Sequence, residues 1–305
     1  HSYVVLDFLL LCDTLARSLF TMELPISILT SFFGAVIFDR FICERQVSYM
    51  IDVKHVSVTL SNKKILQDIS FQIPQGRILM VLGENGSGKT TLIKSMLQQL
   101  PYTGDILYQH QHISHMQEKE RAKIFSYVPQ IKELAMDMRV EDCIVAGCSR
   151  HLSIFEVPSN AQYEQVNALM EKFHLTHIKG KRLDEISGGE LQMVYVARAF
   201  LQNACVMIMD EPCTYLDFKR QHMFLQETRR LCKEGKTIVL TIHDPNLALQ
   251  YGDEIILLHK GKLKAHLKKE TNDMEKECLR YYNELYGNHF TMSNMIEKGF
   301  LIWKE

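Results

Sequence analysis

The stretch "RILMVLGENGSGKTTLIKSMLQQL", residues 77–100, joins an apolar strand-like run to a helix-like one through a glycine-rich turn. Within it Gly83 to Thr90 matches the phosphate-loop pattern G-x-x-x-x-G-K-[ST], and it stands between a strand and a helix as the pattern requires. Chemistry explains the spelling. Glycines at 83, 86 and 88 permit backbone conformations closed to other residues. Successive N–H groups can then point inward at phosphate oxygens, reinforced by the positive end of the following helix. Lys89 is expected to reach the outer phosphates, and the Thr90 hydroxyl to hold magnesium. The candidate phosphate-binding set is therefore Gly83, Glu84, Asn85, Gly86, Ser87, Gly88, Lys89, Thr90 and Thr91. The competing reading is a plain glycine turn.

The gross numbers bound what else the chain can be. Its 305 residues suffice for one large or two modest domains, and 46% hydrophobic with 23% charged residues is a globular composition, which sets disorder aside. With 35 basic against 36 acidic side chains there is no overall field to attract nucleic acid, so anions must be bound locally. The eight cysteines form no C-x-x-C pair, and several lie in apolar runs where a reduced thiol acts as a small hydrophobe. A reducing compartment fits best. His110, His112 and His115 in "HQHISH" have no cysteine or carboxylate company in sequence, so a solvated loop is the default reading over a metal site.

Along the chain, "IDVKHVSVTL" (51–60) and "ILQDISFQI" (65–73) alternate in polarity around the turn "SNKK", which reads as a β-hairpin. Residues 140–182 have helical spacing and few strand signals, suggesting an inserted helical subdomain. "CVMIMD" (205–210) and "TIVLTIH" (237–243) are apolar strands separated by a helical stretch over 217–233. Strands alternating with helices predict an α/β fold with a mainly parallel sheet covered on both faces. The tail over 264–305 is charged, then aromatic, and is read as a docking helix or a partly loose end without chemistry of its own.

Asp210 and Glu211 close the first of these strands, "CVMIMD". Alone, an acidic pair there is a polar strand end. Beside a phosphate loop, the first carboxylate can bind magnesium from its second side, and the next can orient or deprotonate an attacking water.

Upstream stands "ISGGELQ", 186–192, a helix start with Ser187 as a plausible N-cap. This string resembles the signature motif of ABC transporter ATPases. Five motifs follow in that family's order: the phosphate loop at Gly83, "YVPQ" ending at Gln130, the signature at Ser187, "MIMDEP" at Asp210 and "TIHDP" containing His243. The resemblance covers about residues 50–263, with the helical subdomain at about 131–186 and the tail at 264–305. It implies a P-loop NTPase fold and a head-to-tail dimer sandwiching two ATP molecules, each between one subunit's phosphate loop and the other's signature. Ser187 with the Gly188 and Gly189 amides would form the second anion clamp. By the same resemblance Gln130 would sense metal and water and link to the permease. His243 would contact the outer phosphate, and Asp217 would bridge subunits. Glu211 would be the base, and Thr90, Gln130 and Asp210 would hold Mg2+. Without the motif series, His243 would be read as a core histidine and Gln130 as nothing in particular.

The segments 187–221 and 243–263 look most like ATPases of importers for iron chelates, haem and cobalamin. Residues 9–45, "LLLCDTLARSLFTMELPISILTSFFGAVIFDRFICER", are similar to the carboxyl end of permease subunits of that branch. Leu24 to Phe38 is free of charge but shorter than the roughly 20 residues of a span, so a helix there must borrow residues up to Cys43. Arg40, Arg45 and Lys54 would mark the cytoplasmic side. A short membrane-type helical hairpin over 1–46 is thus expected, from a permease–ATPase fusion whose upstream part is missing, with Met50 resembling a natural ATPase start. A signal peptide and a buried amphipathic hairpin are the other readings. The partners implied are a second ATPase subunit, membrane permease subunits and, indirectly, an extracytoplasmic substrate-binding protein. The place implied is the cytoplasmic face of the cell membrane. A soluble ABC ATPase outside transport and a nucleotide-gated module without turnover stand as rivals. The unneeded apolar front argues against the first, and intact Lys89, Asp210 and Glu211 against the second.

Several residues depart from the family pattern. Ile186, Glu190 and Met193 stand where Leu, Gln and Arg are commonest, and Cys213 and Tyr215 replace small residues beside Asp217. None removes a reacting group. Where the family stacks adenine on an aromatic ring, this chain has Leu60. An aromatic face on a base is worth about 1–3 kcal/mol, of which leucine keeps only part. Weaker or less base-selective nucleotide binding follows. Leu60→Tyr is expected to strengthen ATP binding or its preference over GTP. ATP and GTP dissociation constants that both stay unchanged on the substitution would remove the idea.

Overall fold

The computed structural model describes residues 49–131, 137–151, 158–270, 273–293 and 300–303, so the hairpin expected over 1–46 lies outside it. Among the described residues no helix is long and apolar enough to cross a membrane.

The hairpin predicted after position 51 is present as β1 (Tyr49–Leu60) and β2 (Lys63–Pro74), paired antiparallel. The described strands β4 (Thr103–Tyr108) and β5 (Gln111–His112), which the polarity pattern does not announce, extend it to a four-stranded sheet ordered β2-β1-β4-β5. The second sheet is built on β3 (Ile78–Gly83), β6 (Phe125–Val128), β7 (Val206–Met209), β8 (Thr237–Thr241), β9 (Glu254–His259) and β10 (Lys262–Lys268). Its order is β10-β9-β3-β8-β7-β6, parallel throughout except for the β9–β10 edge pair. β7 and β8 are buried at every position, as strands covered on both faces must be.

Alternation along β3 divides the core. Ile78, Met80 and Leu82 pack into one cluster, whereas Leu79 and Val81 point into another. The second cluster is closed by β1, β2 and the phosphate-loop helix α1 (Lys89–Met96), through Leu92, Ile93 and Met96. The first is covered by helices: α3 (Val140–Val145), α4 (Asn160–Lys172), α5 (Gly188–Gln202), α6 (Phe218–Lys233), α7 (Pro245–Tyr251) and α8 (Met274–Tyr286). A further short helix, α2 (Glu118–Ile124), leads into β6. The tail proves to be part of this packing. α8 buries Met274, Cys278 and Tyr282, one stripe at helical spacing, and Phe290 of β11 (Phe290–Ser293) joins Tyr282 and Tyr286 in an aromatic cluster. β11 pairs with β12 (Phe300–Trp303).

Helix α5 starts as its sequence predicts, with Ser187 as N-cap in extended conformation. Glu190, three residues on, completes a capping box: its carboxylate accepts from the Ser187 N–H at 2.8 Å and from the Ser187 hydroxyl at 2.7 Å. The other carboxylate oxygen lies 2.6 Å from His177 Nε2. The Ser187 hydrogen bond, then His177, hold Glu190 down to about 2, below its ordinary 4.5, against the opposing effect of burial. A carboxylate depressed in the folded state stabilises above its unfolded value and loses that contribution as pH falls through the folded one. The stability gap between the native chain and Glu190→Gln is therefore expected to be full above about pH 4.5 and to close toward pH 2. Unfolding midpoints measured across that range check it; a gap independent of pH would contradict the assignment.

Candidate nucleotide site

The chain leaves β3 at Gly83, whose φ is 154° and whose added Cβ would fall 2.4 Å from the Leu258 carbonyl oxygen. Gly88, at φ 107°, caps α1, and a Cβ there would meet Leu66 at 2.6 Å. Both positions admit only glycine, so this loop's path depends on them. Lys89 arches back over the turn, its Nζ donating to the Gly83 carbonyl at 2.8 Å and the Glu84 carbonyl at 3.3 Å. Burial lowers the Lys89 pKa, opposed by the charges of Glu211 and then Asp210. Glu84 and Asn85 rim the loop, Thr90 and Thr91 are half-buried in the first turn of α1, and the Ser87 hydroxyl is buried without a partner.

The carboxylates stand at the end of β7. Asp210 is fully buried. Its Oδ1 accepts from the Thr241 hydroxyl at 2.8 Å, whereas its Oδ2 has no partner. Glu211 sits in the left-handed region at φ 49°, and its N–H donates to the same Thr241 oxygen at 2.7 Å. Three predicted residues converge on its side chain. Gln130 Nε2 donates to Oε2 at 2.6 Å, while His243 Nε2 lies 2.6 Å and Lys89 Nζ 3.8 Å from Oε1. A cavity of about 130 Å³ opens beside this cluster, bounded by Glu211, Cys213, Thr214, Thr241, His243 and Asp244, with room for water. Burial, reinforced by the Asp210 charge, pushes the neighbouring Tyr127 hydroxyl up to about 12.

The donor set suits a hard divalent cation. It offers a buried carboxylate oxygen lacking a partner and, in the first turn of α1, the Thr90 hydroxyl, both of them oxygen ligands. Elsewhere, His112 lies 3.2 Å from Asp105 and its ring 5.2 Å from that of His115, but no described group of three ligating side chains could hold a metal ion. Burial pushes the Cys213 thiol up to about 12, which makes it an unreactive core group.

Ser187, Gly188 and Gly189 form a second cluster. The Tyr215 ring covers Gly188, the Tyr215 carbonyl lies where a Gly189 Cβ would stand, and the Tyr215 hydroxyl donates to the Ile131 carbonyl at 3.3 Å. The single Ser187 proton is engaged by Glu190, so it must turn away before that hydroxyl can donate to an anion. Asp217 caps α6, accepting from the Arg220 N–H at 2.8 Å. Leu60 ends β1, half-buried against the second core cluster. Sequence reasoning passed over Thr241. Its signal was a hydroxyl at the end of an apolar strand, two residues before His243.

The family model of ABC transporters matches residues 66–214. The "Probable iron chelatin transport ATP-binding protein" of Helicobacter pylori is 33% identical over 218 residues, 70% of this chain and 85% of that one. The manganese transport system ATP-binding protein MntB of Bacillus subtilis is 32% identical, covering 70% and 85%. The hemin import ATP-binding protein HmuV of Aliivibrio fischeri is likewise 32% identical, covering 72% and 84%. A solved ATP binding subunit of an ABC transporter superposes with a TM-score of 0.65 at 25% identity, covering 78% of this chain and 95% of the other. The chain belongs to the ATP-binding proteins of ABC transporters, with the α/β P-loop fold, sheet core and helical subdomain of that family's ATPases.

Proposed function

We propose that the protein hydrolyses ATP to drive import of an iron-chelate or haem type substrate through a membrane permease. The observation that carries the catalytic part is the convergence of Gln130, His243 and Lys89 on the Glu211 carboxylate, beside a buried Asp210 oxygen without a partner. The loop amides from Gly83 to Gly88, with Lys89, bind the phosphates. Thr90, Asp210 and Gln130 would hold magnesium, which when bound supplies neutralising charge on phosphate oxygens.

The geometry suggests how the base is released. His243 and Lys89 both attend Glu211 Oε1, and both are donors suited to an outer phosphate. As the phosphate draws them away, Oε1 is left to take a proton from an attacking water, while Gln130 holds Oε2 in place. Ser187, Gly188 and Gly189 of a second copy close over the nucleotide, and Asp217 bridges the copies.

The substrate class rests on the relatives named for iron chelate and hemin transport; the manganese relative widens the range to metal import generally. Partners on this reading are a second ATPase subunit, permease subunits at the cytoplasmic face of a membrane and, through them, a substrate-binding protein. Residues 1–46 are a permease end fused to an ATPase domain over 50–263, followed by a tail over 264–305. The sequence similarity of residues 9–45 supports the fusion.

Glu211→Gln is expected to lower ATP turnover by at least about 100-fold, the scale of a lost general base, and to change nucleotide affinity little. Phosphate release at saturating ATP measures it. Identical rates in the two chains would refute this role.

A further inference from the structure

We propose that Thr241 is a positioning residue that sets both carboxylates of the site, an assignment that rests on the hydrolytic reading above. Thr241 ends β8, the strand lying between β3 and β7, and is fully buried. A hydroxyl has one proton and two lone pairs. The partners here leave no choice of direction: the proton goes to Asp210 Oδ1 at 2.8 Å, and a lone pair receives the Glu211 N–H at 2.7 Å.

Two consequences follow. With Oδ1 occupied, the Asp210 carboxylate cannot rotate freely, so its unpartnered Oδ2 is the oxygen presented for a cation. The bond to the Glu211 amide also secures a residue held at φ 49°, a conformation that non-glycine residues seldom adopt and that persists only when neighbours enforce it. One oxygen atom thus fixes the metal-side carboxylate and the backbone from which the base projects. Partners that orient a metal ligand typically matter about 10- to 100-fold for metal affinity or activity.

The test uses the full chain, with Mn2+ as probe and EPR of the free ion as readout, in the presence of saturating ADP. Thr241→Val, which keeps the shape and removes the hydroxyl, is expected to weaken Mn2+ binding by about 10- to 100-fold. ADP affinity measured in EDTA should stay within about threefold, because Lys89 and the loop amides are untouched. Thr241→Ser restores the hydroxyl and is expected to recover native Mn2+ affinity within about threefold. Should Thr241→Val not fold, Thr241→Ala carries the same comparison against Thr241→Ser. Mn2+ affinity in the hydroxyl-free variant within twofold of native, or a serine variant as impaired as the valine one, overturns the assignment. Such a result leaves the hydrolytic reading intact if Glu211→Gln is inactive. Full activity in Glu211→Gln sinks that reading instead, without altering the Mn2+ comparison.

Discussion

The parallel register of β8 between β3 and β7 is the constraint on which the site depends. Val81 of β3 pairs with Thr241 of β8, and Met209 of β7 pairs with Leu240 of β8. All these strands therefore end at one edge of the sheet, where the chain must turn and polar groups can emerge from a buried interior. The phosphate loop leaves β3 there, Gln130 follows β6, the carboxylates follow β7 and His243 follows β8. Open α/β sheets bind ligands at this carboxyl edge for that reason. Shifting one strand by a residue would send its terminal side chain to the opposite face, and the cluster would come apart.

Charge is the second requirement. Lys89, Asp210 and Glu211 sit close together with little exposure, and charged groups held away from water need partners. Each is therefore given partners: carbonyls and Glu211 for Lys89, Thr241 for Asp210, and Gln130 and His243 for Glu211. Asp210 Oδ2 and the Ser87 hydroxyl are among the buried polar atoms of the described residues that have no hydrogen-bond partner. Buried polar atoms without partners are rare in native proteins, and two beside a phosphate loop point to a ligand.

Residues that break the family pattern do local work. Glu190 places a negative charge at the start of α5, where His177 and the capping bonds offset it. Tyr215 links three motif segments, touching Gly188 and Gly189 while its hydroxyl holds Ile131, next to Gln130. The tail, which carries no motif, comes within electrostatic reach of Glu84 in the phosphate loop: burial raises the Tyr286 pKa, and the Glu84 charge adds to it. Its composition gave no hint of this, because an aromatic stripe on a helix reads the same against any apolar surface.

Local order in the sequence determined a great deal by itself. Glycines at 83 and 88 specify the backbone path of the loop, since a positive φ is set residue by residue. The N-caps at Ser187 and Asp217 are equally local, each satisfied within three residues. Alternation revealed β1 and β2 and apolar runs revealed β3, β7 and β8, while β5, two residues long and with no period to show, escaped notice. Only the tertiary structure decided that Gln130 meets Glu211 across 81 positions, and that Thr241 serves Asp210 and Glu211 at once. Those contacts follow from strand order, β3-β8-β7-β6, which brings distant ends of the chain together and leaves no trace in the spacing of neighbouring residues.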